Sequence, residues 1–206
     1  MVKAYARRRI GTVNGIEVHQ DLTAQELGWP RDWPFSYIKP GEFNTRGPGV
    51  SRYLQDFPPG AGDRFEFLSR TSDGRLGGAL IAEVLHEDPT TLRIVWLESV
   101  EESAGHGSRL VRALEEWAEG DIDAILLNSR HSAYGFWEKM GYRLHEESVA
   151  VILENPDVMA TGTPLHDAAL DEWLAQVAGE KTIPDELFER HPGALPDTIL
   201  MEKDLI

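Results

Sequence analysis

The chain has 206 residues, 41% of them hydrophobic, which is enough for one domain with a sizeable core. It has no cysteine, which excludes disulfides, thiolate chemistry and cysteine-held metal, and no apolar run long enough for a transmembrane helix. The net charge of −15 is uneven: residues 1–52 carry 8 Lys/Arg against 5 Asp/Glu, and residues 53–206 carry 12 against 30.

An acidic field of that size disfavours nucleic acid as a partner and attracts cationic small molecules or basic peptides. The basic residues Arg7, Arg8 and Arg9 have no apolar stretch behind them, so no secretory signal is expected. A cytoplasmic protein without membrane association is expected.

Residues 9–19 read as a hairpin around Asn14-Gly15, the strongest two-residue hairpin turn. Thr23 is placed to cap a short helix ending near Leu27. Pro30, Pro34 and Pro40 then break regular structure, and Trp29, Trp33 and Tyr37 form an aromatic loop that either lines an acceptor pocket or plugs the core. After a connector at residues 57–62, a meander is expected. Its strands lie at residues 65–71, 75–85 and 91–97, with turns at Ser72-Asp73-Gly74 and Asp88-Pro89-Thr90. Gly77-Gly78 inside the second strand signals a bulge or a close backbone approach.

A glycine turn, Gly105-His106-Gly107-Ser108, opens a helix expected at 108–119. Leu110, Val111, Leu114, Trp117 and Ala118 fall on one face at helical spacing, and Gly120 is a plausible stop. Free N–H groups at a helix start suit a phosphate, and Gly105 and Gly107 let such an anion approach the backbone. Residues 124–128 read as a strand parallel to the one at 93–100, joined to it by this crossover helix. A second helix follows, with Tyr134, Phe136, Trp137 and Met140 apolar and Gly141 as cap; Gly135 inside it hints at a close packing partner. Residues 147–153 read as a strand. Leu170, Trp173, Leu174 and Val177 form a helical stripe expected to end at Gly179, and residues 184–191 read as a short helix.

The residues Ser129-Arg130-x-x-Ala133-x-x-Phe136-Trp137-Glu138-Lys139-x-Gly141-Tyr142, with the glycine turn before them, resemble the GNAT superfamily of acyl-CoA-dependent N-acetyltransferases. The resemblance covers residues 65–142 and, more loosely, the closing strand at 198–205. It implies a GNAT-like mixed α/β (α+β) fold, with a mostly antiparallel sheet, a splayed parallel strand pair and flanking helices. The whole is read as a single domain: 1–62 an atypical N-terminal part, 63–153 a cofactor-binding core, 154–197 a helical insertion, 198–206 the closing strand. The implied activity is transfer of an acetyl group from acetyl-CoA (coenzyme A) to a primary amine. The acceptor is an amine-bearing small molecule or basic peptide, and the chain a monomer or homodimer. The alternative is a catalytically inactive acyl-CoA-binding module that acts through a protein partner.

By the same resemblance, Leu97, Ser99 and Val100 would pair with the pantetheine arm. Gly105, His106, Gly107, Ser108 and Arg109 would hold the pyrophosphate. Asn128 would reach the arm or the acceptor, and Trp137 would line the cofactor slot. Glu102 stands where the family has Arg or Gln, so either it points away or the loop register is shifted. The family's frequent tyrosine acid is replaced by Trp137, which has no titratable proton. Tyr134, one turn earlier, is the substitute acid or a wall residue. Glu98, at the end of the first strand of the parallel pair, is the expected proton acceptor; Glu101 and Glu102 are close behind it. The seven histidines show no metal-ligand spacing, so no metal is expected.

Overall fold

The computed structural model describes residues 11–21, 64–99, 104–154, 168–184, 195–196 and 198–205. The expected helix at Thr23, the aromatic loop, the 57–62 connector and most of the 184–191 helix lie outside them. The chain divides into two compact units, Met1–Asp123 with Leu205–Ile206, and Ala124–Asp204. The fold class is mixed α/β, and its strands pair mostly antiparallel, as expected.

In the first unit, β1 (Gly11–Val13) and β2 (Ile16–Gln20) form the expected hairpin. Asn14 and Gly15 both have positive φ, 49° and 77°, which is what a tight turn matched to strand twist demands. β2 continues into a meander of β3 (Arg64–Arg70), β4 (Leu76–Val84) and β5 (Thr91–Ser99), every pair antiparallel. At the β4–β5 turn the Asp88 carboxylate accepts from the Thr90 amide at 3.1 Å and the Thr91 hydroxyl at 2.6 Å. Those bonds, Thr91 first, hold its carboxyl below the usual range.

Helix α1 (His106–Ala118) lies on one face of this sheet. Its Leu110, Val111, Leu114 and Ala118 are buried, as the helical spacing predicts. Trp117 stacks on Phe65 and Phe67 at centroid distances of 4.5 and 5.7 Å. The helix begins two residues earlier than expected, so His106 and Gly107 belong to its first turn.

Two bulges interrupt the meander. Ser69 pairs with Gly78 and Arg70 with Leu76, so Gly77 is an extra residue on β4. Ile81 pairs with Trp96 and Ala82 with Ile94, so Val95 is an extra residue on β5. Gly77-Gly78 thus marks both a bulge and a close approach. A Cβ on Gly77 would sit 2.4 Å from His106 Cε1, and one on Gly78 3.0 Å from the Glu98 carbonyl oxygen.

In the second unit, β8 (Thr198–Asp204) pairs along its length with β6 (Ala124–Arg130) and on its other edge with the short β7 (Arg143–Leu144). The strand expected to run parallel to β5 is β6, the first of this unit. After β6 come a 3-10 turn (His131–Ala133) and α2 (Tyr134–Lys139), which ends at Gly141 with φ 88°. Gly135 does not mark a close approach: a Cβ there meets nothing within 4 Å among the described residues.

Residues 147–153, expected as a strand, form helix α3 (Glu146–Leu153). The His145 side chain caps it by accepting from the Glu147 amide at 3.2 Å, and two glutamates in the first turn suit the helix dipole. Ser148 and Ile152, four residues apart, are its buried pair, and Ser148 Oγ accepts the Leu200 N–H at 2.8 Å. A β-branched run read as a strand is therefore a helix fixed by its cap and by β8. Helix α4 (Ala168–Glu180) buries Val177 and runs through Gly179 to Glu180. The left-handed residue at its end is Lys181, φ 54°, whose ammonium lies 3.3 Å from Glu202.

The missing Cβ at Gly77 sets a stability test. Gly77→Ala should destabilise the protein by about 1–3 kcal/mol, because the imidazole above it has to move. Adding His106→Ala to that variant should recover part of the loss. Thermal unfolding of the two variants beside the parent checks both halves; a Gly77→Ala melting curve like the parent's would mean His106 moves aside freely.

Candidate functional site

The turn that opens α1 is built from below. His106 is buried, its Nδ1 2.9 Å from Ser69 Oγ. The Ser69 hydroxyl in turn lies 3.4 Å from the Gly78 carbonyl oxygen. The imidazole fills the space over Gly77, so the first turn of α1 is pinned to β3 and β4 through one side chain. A buried ring nitrogen paired in this way avoids the cost of about 1–3 kcal/mol that an unsatisfied one carries.

The cap residue Gly105 is left-handed, φ 76°, and exposed. Among the described residues no side-chain hydrogen bond caps α1, and no acidic residue stands in its first turn. The Arg109 amide bonds to the Gly105 carbonyl at 3.1 Å. The amides of His106, Gly107 and Ser108 precede that first intrahelical bond, so helix geometry gives them no partner in α1. A Cβ built on Gly105 meets nothing within 4 Å among the described residues, and Gly107 and Ser108 are half-buried. Such a turn suits an anion, because the free N–H groups and the helix dipole both favour negative charge there. The guanidinium of Arg109 extends towards the β1–β2 turn, its Nη2 3.8 Å from the Cβ position of Gly15.

On β5 the bulge at Val95 decides which side chains face where. Leu92 and Ile94 share the face that carries α1. Strict alternation would put Trp96 and Glu98 on that face too. The extra residue reverses this: Leu97, opposite Leu80, and Ser99, opposite Gly78, take the α1 face. Trp96, opposite Ile81, and Glu98, opposite Ala79, take the other. There the indole Nε1–H donates to Glu98 Oε2 at 3.1 Å. Val100, Glu101 and Glu102 lie outside the described residues. Leu97, Glu98, Ser99 and the residues from Gly105 to Arg109 all belong to the first unit.

The other expected residues belong to the second unit. Asn128 is exposed on β6, opposite Leu200. Trp137 is buried edge-on to Phe136 and Tyr142, with ring centroids 4.9 and 5.3 Å apart. Tyr134 is buried, and its hydroxyl oxygen accepts the Ile183 N–H at 2.8 Å. Burial pushes its pKa up to about 12, against the smaller opposing effect of that hydrogen bond. Among the described residues no group of His, Asp and Glu is arranged to hold a metal ion. Among the described residues no helix is long and apolar enough to cross a membrane.

Sequence reasoning missed Ser69 and Trp96. Ser69 reaches His106 only through the β3–β4 pairing, which no local pattern announces. Trp96 was within reach, since residues two apart on a strand share a face.

No family model matches the chain, and no curated protein matches it. Solved structures do. Tetrahymena GCN5 is 14% identical over 76% of each chain, with a TM-score of 0.43. A provisionally assigned N-acetyltransferase of Lactobacillus plantarum is 16% identical over 94% of this chain and 100% of that one, TM-score 0.47. A Bacillus subtilis acetyltransferase in complex with CoA is 18% identical over 76% of this chain and 82% of that one, TM-score 0.42.

The environment of Tyr134 gives a prediction with a definite sign. Its pKa is raised from 10.0 to about 12 on folding, so the folded state holds the proton more tightly. The benefit is fully present below pH ~10 and is lost as pH rises from about 10 to 12, a fall of roughly 2–3 kcal/mol. Tyr134→Phe should be less stable at neutral pH by about 1–3 kcal/mol, since the Ile183 amide loses its acceptor. Its stability should then decline less between those pH values. Denaturant melts of both proteins across this window test it, and parallel pH curves would contradict it.

Proposed function

We propose that the chain transfers an acetyl group from acetyl-CoA to a primary amine, with a cationic small molecule or basic peptide as acceptor. The observation that carries the reading is the start of α1: a left-handed glycine, a first turn whose N–H groups have no intrahelical partner, and no acidic residue in that turn. The residues matching the GNAT pattern follow it in the chain order that family uses. In this reading the pyrophosphate sits on the turn at residues 105–109, held by the amides that precede the Arg109 N–H, and the pantetheine arm runs along Leu97, Ser99 and Val100. Asn128 and Trp137 are assigned to the cofactor as well.

The chemistry asks little of the protein. The acceptor gives up a proton from its ammonium to the Glu98 carboxylate, directly or through water. The amine nitrogen attacks the thioester carbonyl carbon, the C–N bond forms, and the C–S bond breaks with its electron pair going to sulfur. Holding the two reactants in place supplies much of the acceleration. A proton then returns to the thiolate. That is the step Tyr134 would serve: a loss of ~100-fold in kcat on Tyr134→Phe assigns it the role. A loss of only a few-fold leaves the hydroxyl as the acceptor for Ile183.

The reading predicts that Gly107→Glu abolishes acetyl-CoA binding by bulk and charge while the protein stays folded. Isothermal titration with acetyl-CoA checks this, and unchanged affinity would remove the phosphate from the turn. CoA release should be measurable with a panel of amines; binding without release would favour the inactive module. Turnover of a cationic amine should fall as salt rises, because charges screen over ~10 Å at 0.1 M. Salt-independent kcat/KM, or a preference for acidic amines, would count against the cationic acceptor.

A further inference from the structure

The face of β5 turned away from α1 carries a pair that the glycine turn does not explain. Trp96 and Glu98 lie side by side there, joined by the 3.1 Å bond from the indole Nε1 to Glu98 Oε2. We propose that Trp96 is a positioning residue that holds the Glu98 carboxylate where the acceptor's ammonium arrives. The inference deepens the acetyl-transfer reading and rests on it.

Three observations point this way. First, the pair exists because of the bulge at Val95. Without the extra residue both side chains would point into the apolar face under α1, where Leu92 and Ile94 are buried. A bulge that re-aims a carboxylate in the last third of a strand is the kind of irregularity that accompanies a site. Second, an indole N–H only donates, so the oxygen facing it has to accept. The bond therefore selects a carboxylate orientation with one oxygen committed to Trp96. Third, the anchor is stiff. Indole has two side-chain torsions, whereas Glu98 alone has three, and Trp96 is half-buried beside the fully buried Ile81. Fixing a flexible base against a rigid donor removes rotamer freedom before the substrate arrives.

The same strand backbone is held from the other side. The Glu98 carbonyl packs against Gly78, where a Cβ would come within 3.0 Å. Main chain and carboxylate of Glu98 are thus fixed by different residues, Gly78 and Trp96. The same face carries the ion pairs Arg64–Glu66 at 2.7 Å, Arg70–Glu17 at 3.0 Å and, more distantly, Arg93–Glu83 at 4.0 Å.

The test is a double-mutant cycle on the full chain. The probe is whichever of spermidine, glucosamine and a lysine-rich peptide the parent protein acetylates fastest with acetyl-CoA. Trp96→Phe keeps the aromatic bulk and removes the donor. It should lower kcat by ~10- to 100-fold, the scale of a misplaced catalytic group, with the Kd for CoA and the melting temperature unchanged. In a Glu98→Ala background the same change should cost less than two-fold, because nothing remains to be positioned. Independent losses in the two backgrounds, or a Trp96→Phe protein with full kcat, would overturn the proposal. An arm without activity accompanies it: the indole N–H resonance of Trp96 should shift on Glu98→Ala and stay in place on Glu83→Gln. A resonance indifferent to Glu98→Ala refutes the positioning whether or not the protein acetylates anything. Failure of the parent protein to bind CoA or to turn over any amine refutes instead the acetyl-transfer reading.

Discussion

The first turn of α1 meets β4 where two consecutive residues have no side chain. That meeting is the constraint on which the first unit depends. His106 can lie flat on the sheet only because Gly77 leaves room, and Leu110 can follow only because Gly78 does. With the imidazole bonded to Ser69, the helix start is fixed in height and in rotation. An apolar residue at position 106 would pack over the glycines equally well, yet it would lack the directional bond that sets the rotation. Packing and hydrogen bonding do different jobs here: the glycines permit the approach, and Ser69 specifies it.

The two bulges act together on the same part of the sheet. Gly77 bulges β4 towards α1, and Val95 bulges β5 so that the strand's last residues exchange faces. A one-residue slip in a strand moves every later side chain to the opposite face. For β5 this sends a carboxylate and an indole out of an apolar layer and brings Leu97 and Ser99 in. Burying Glu98 unpaired would cost several kcal/mol. Removing one ladder bond at a bulge costs about one. The irregularity is therefore the cheaper arrangement for this sequence, and the sequence itself, with Leu92 and Ile94 before Val95 and Glu98 after it, selects it.

Much of this was legible in the residues, and what was not has a common cause. Asn14-Gly15, Ser72-Asp73-Gly74 and Asp88-Pro89-Thr90 each carry their turn chemistry locally, and all three turns stand where they were read. The buried stripe of α1 follows from spacing alone. The glycine pair announced a close approach, although the partner, thirty residues away, could not be named. The failures are non-local. Residues 147–153 look like a strand by composition, but the His145 cap and the Ser148 bond to Leu200 make them a helix. The pairing of β2 with β3 joins segments more than forty residues apart, which no periodicity reveals. The bulge at Val95 has no sequence marker of the kind that glycine gave at position 77. For the candidate site the same division holds: the glycine turn that opens α1 was readable in the sequence, whereas its support by Ser69 and the pairing of Trp96 with Glu98 emerge only from register.

An acidic chain proposed to bind an anionic ligand looks contradictory, and magnitudes decide the matter. A unit charge 20 Å away in water contributes about 0.2 kcal/mol before screening. With a screening length of about 8 Å at physiological salt, less than a tenth of that survives. Even the whole excess of 15 negative charges, placed at that range, then opposes an anion by only a few tenths of a kcal/mol. A helix start contributes about 0.3–1 kcal/mol to an adjacent anion, and charge-assisted bonds from backbone amides add more. Local donors therefore outweigh the distant field, provided that no carboxylate enters the first turn. The α1 sequence meets that condition from His106 to Arg109 and places its glutamates at 115 and 116, more than two turns along. In the proposed reading the net charge bears on which acceptor approaches and how fast; at that distance it does not decide whether a helix start can hold a phosphate.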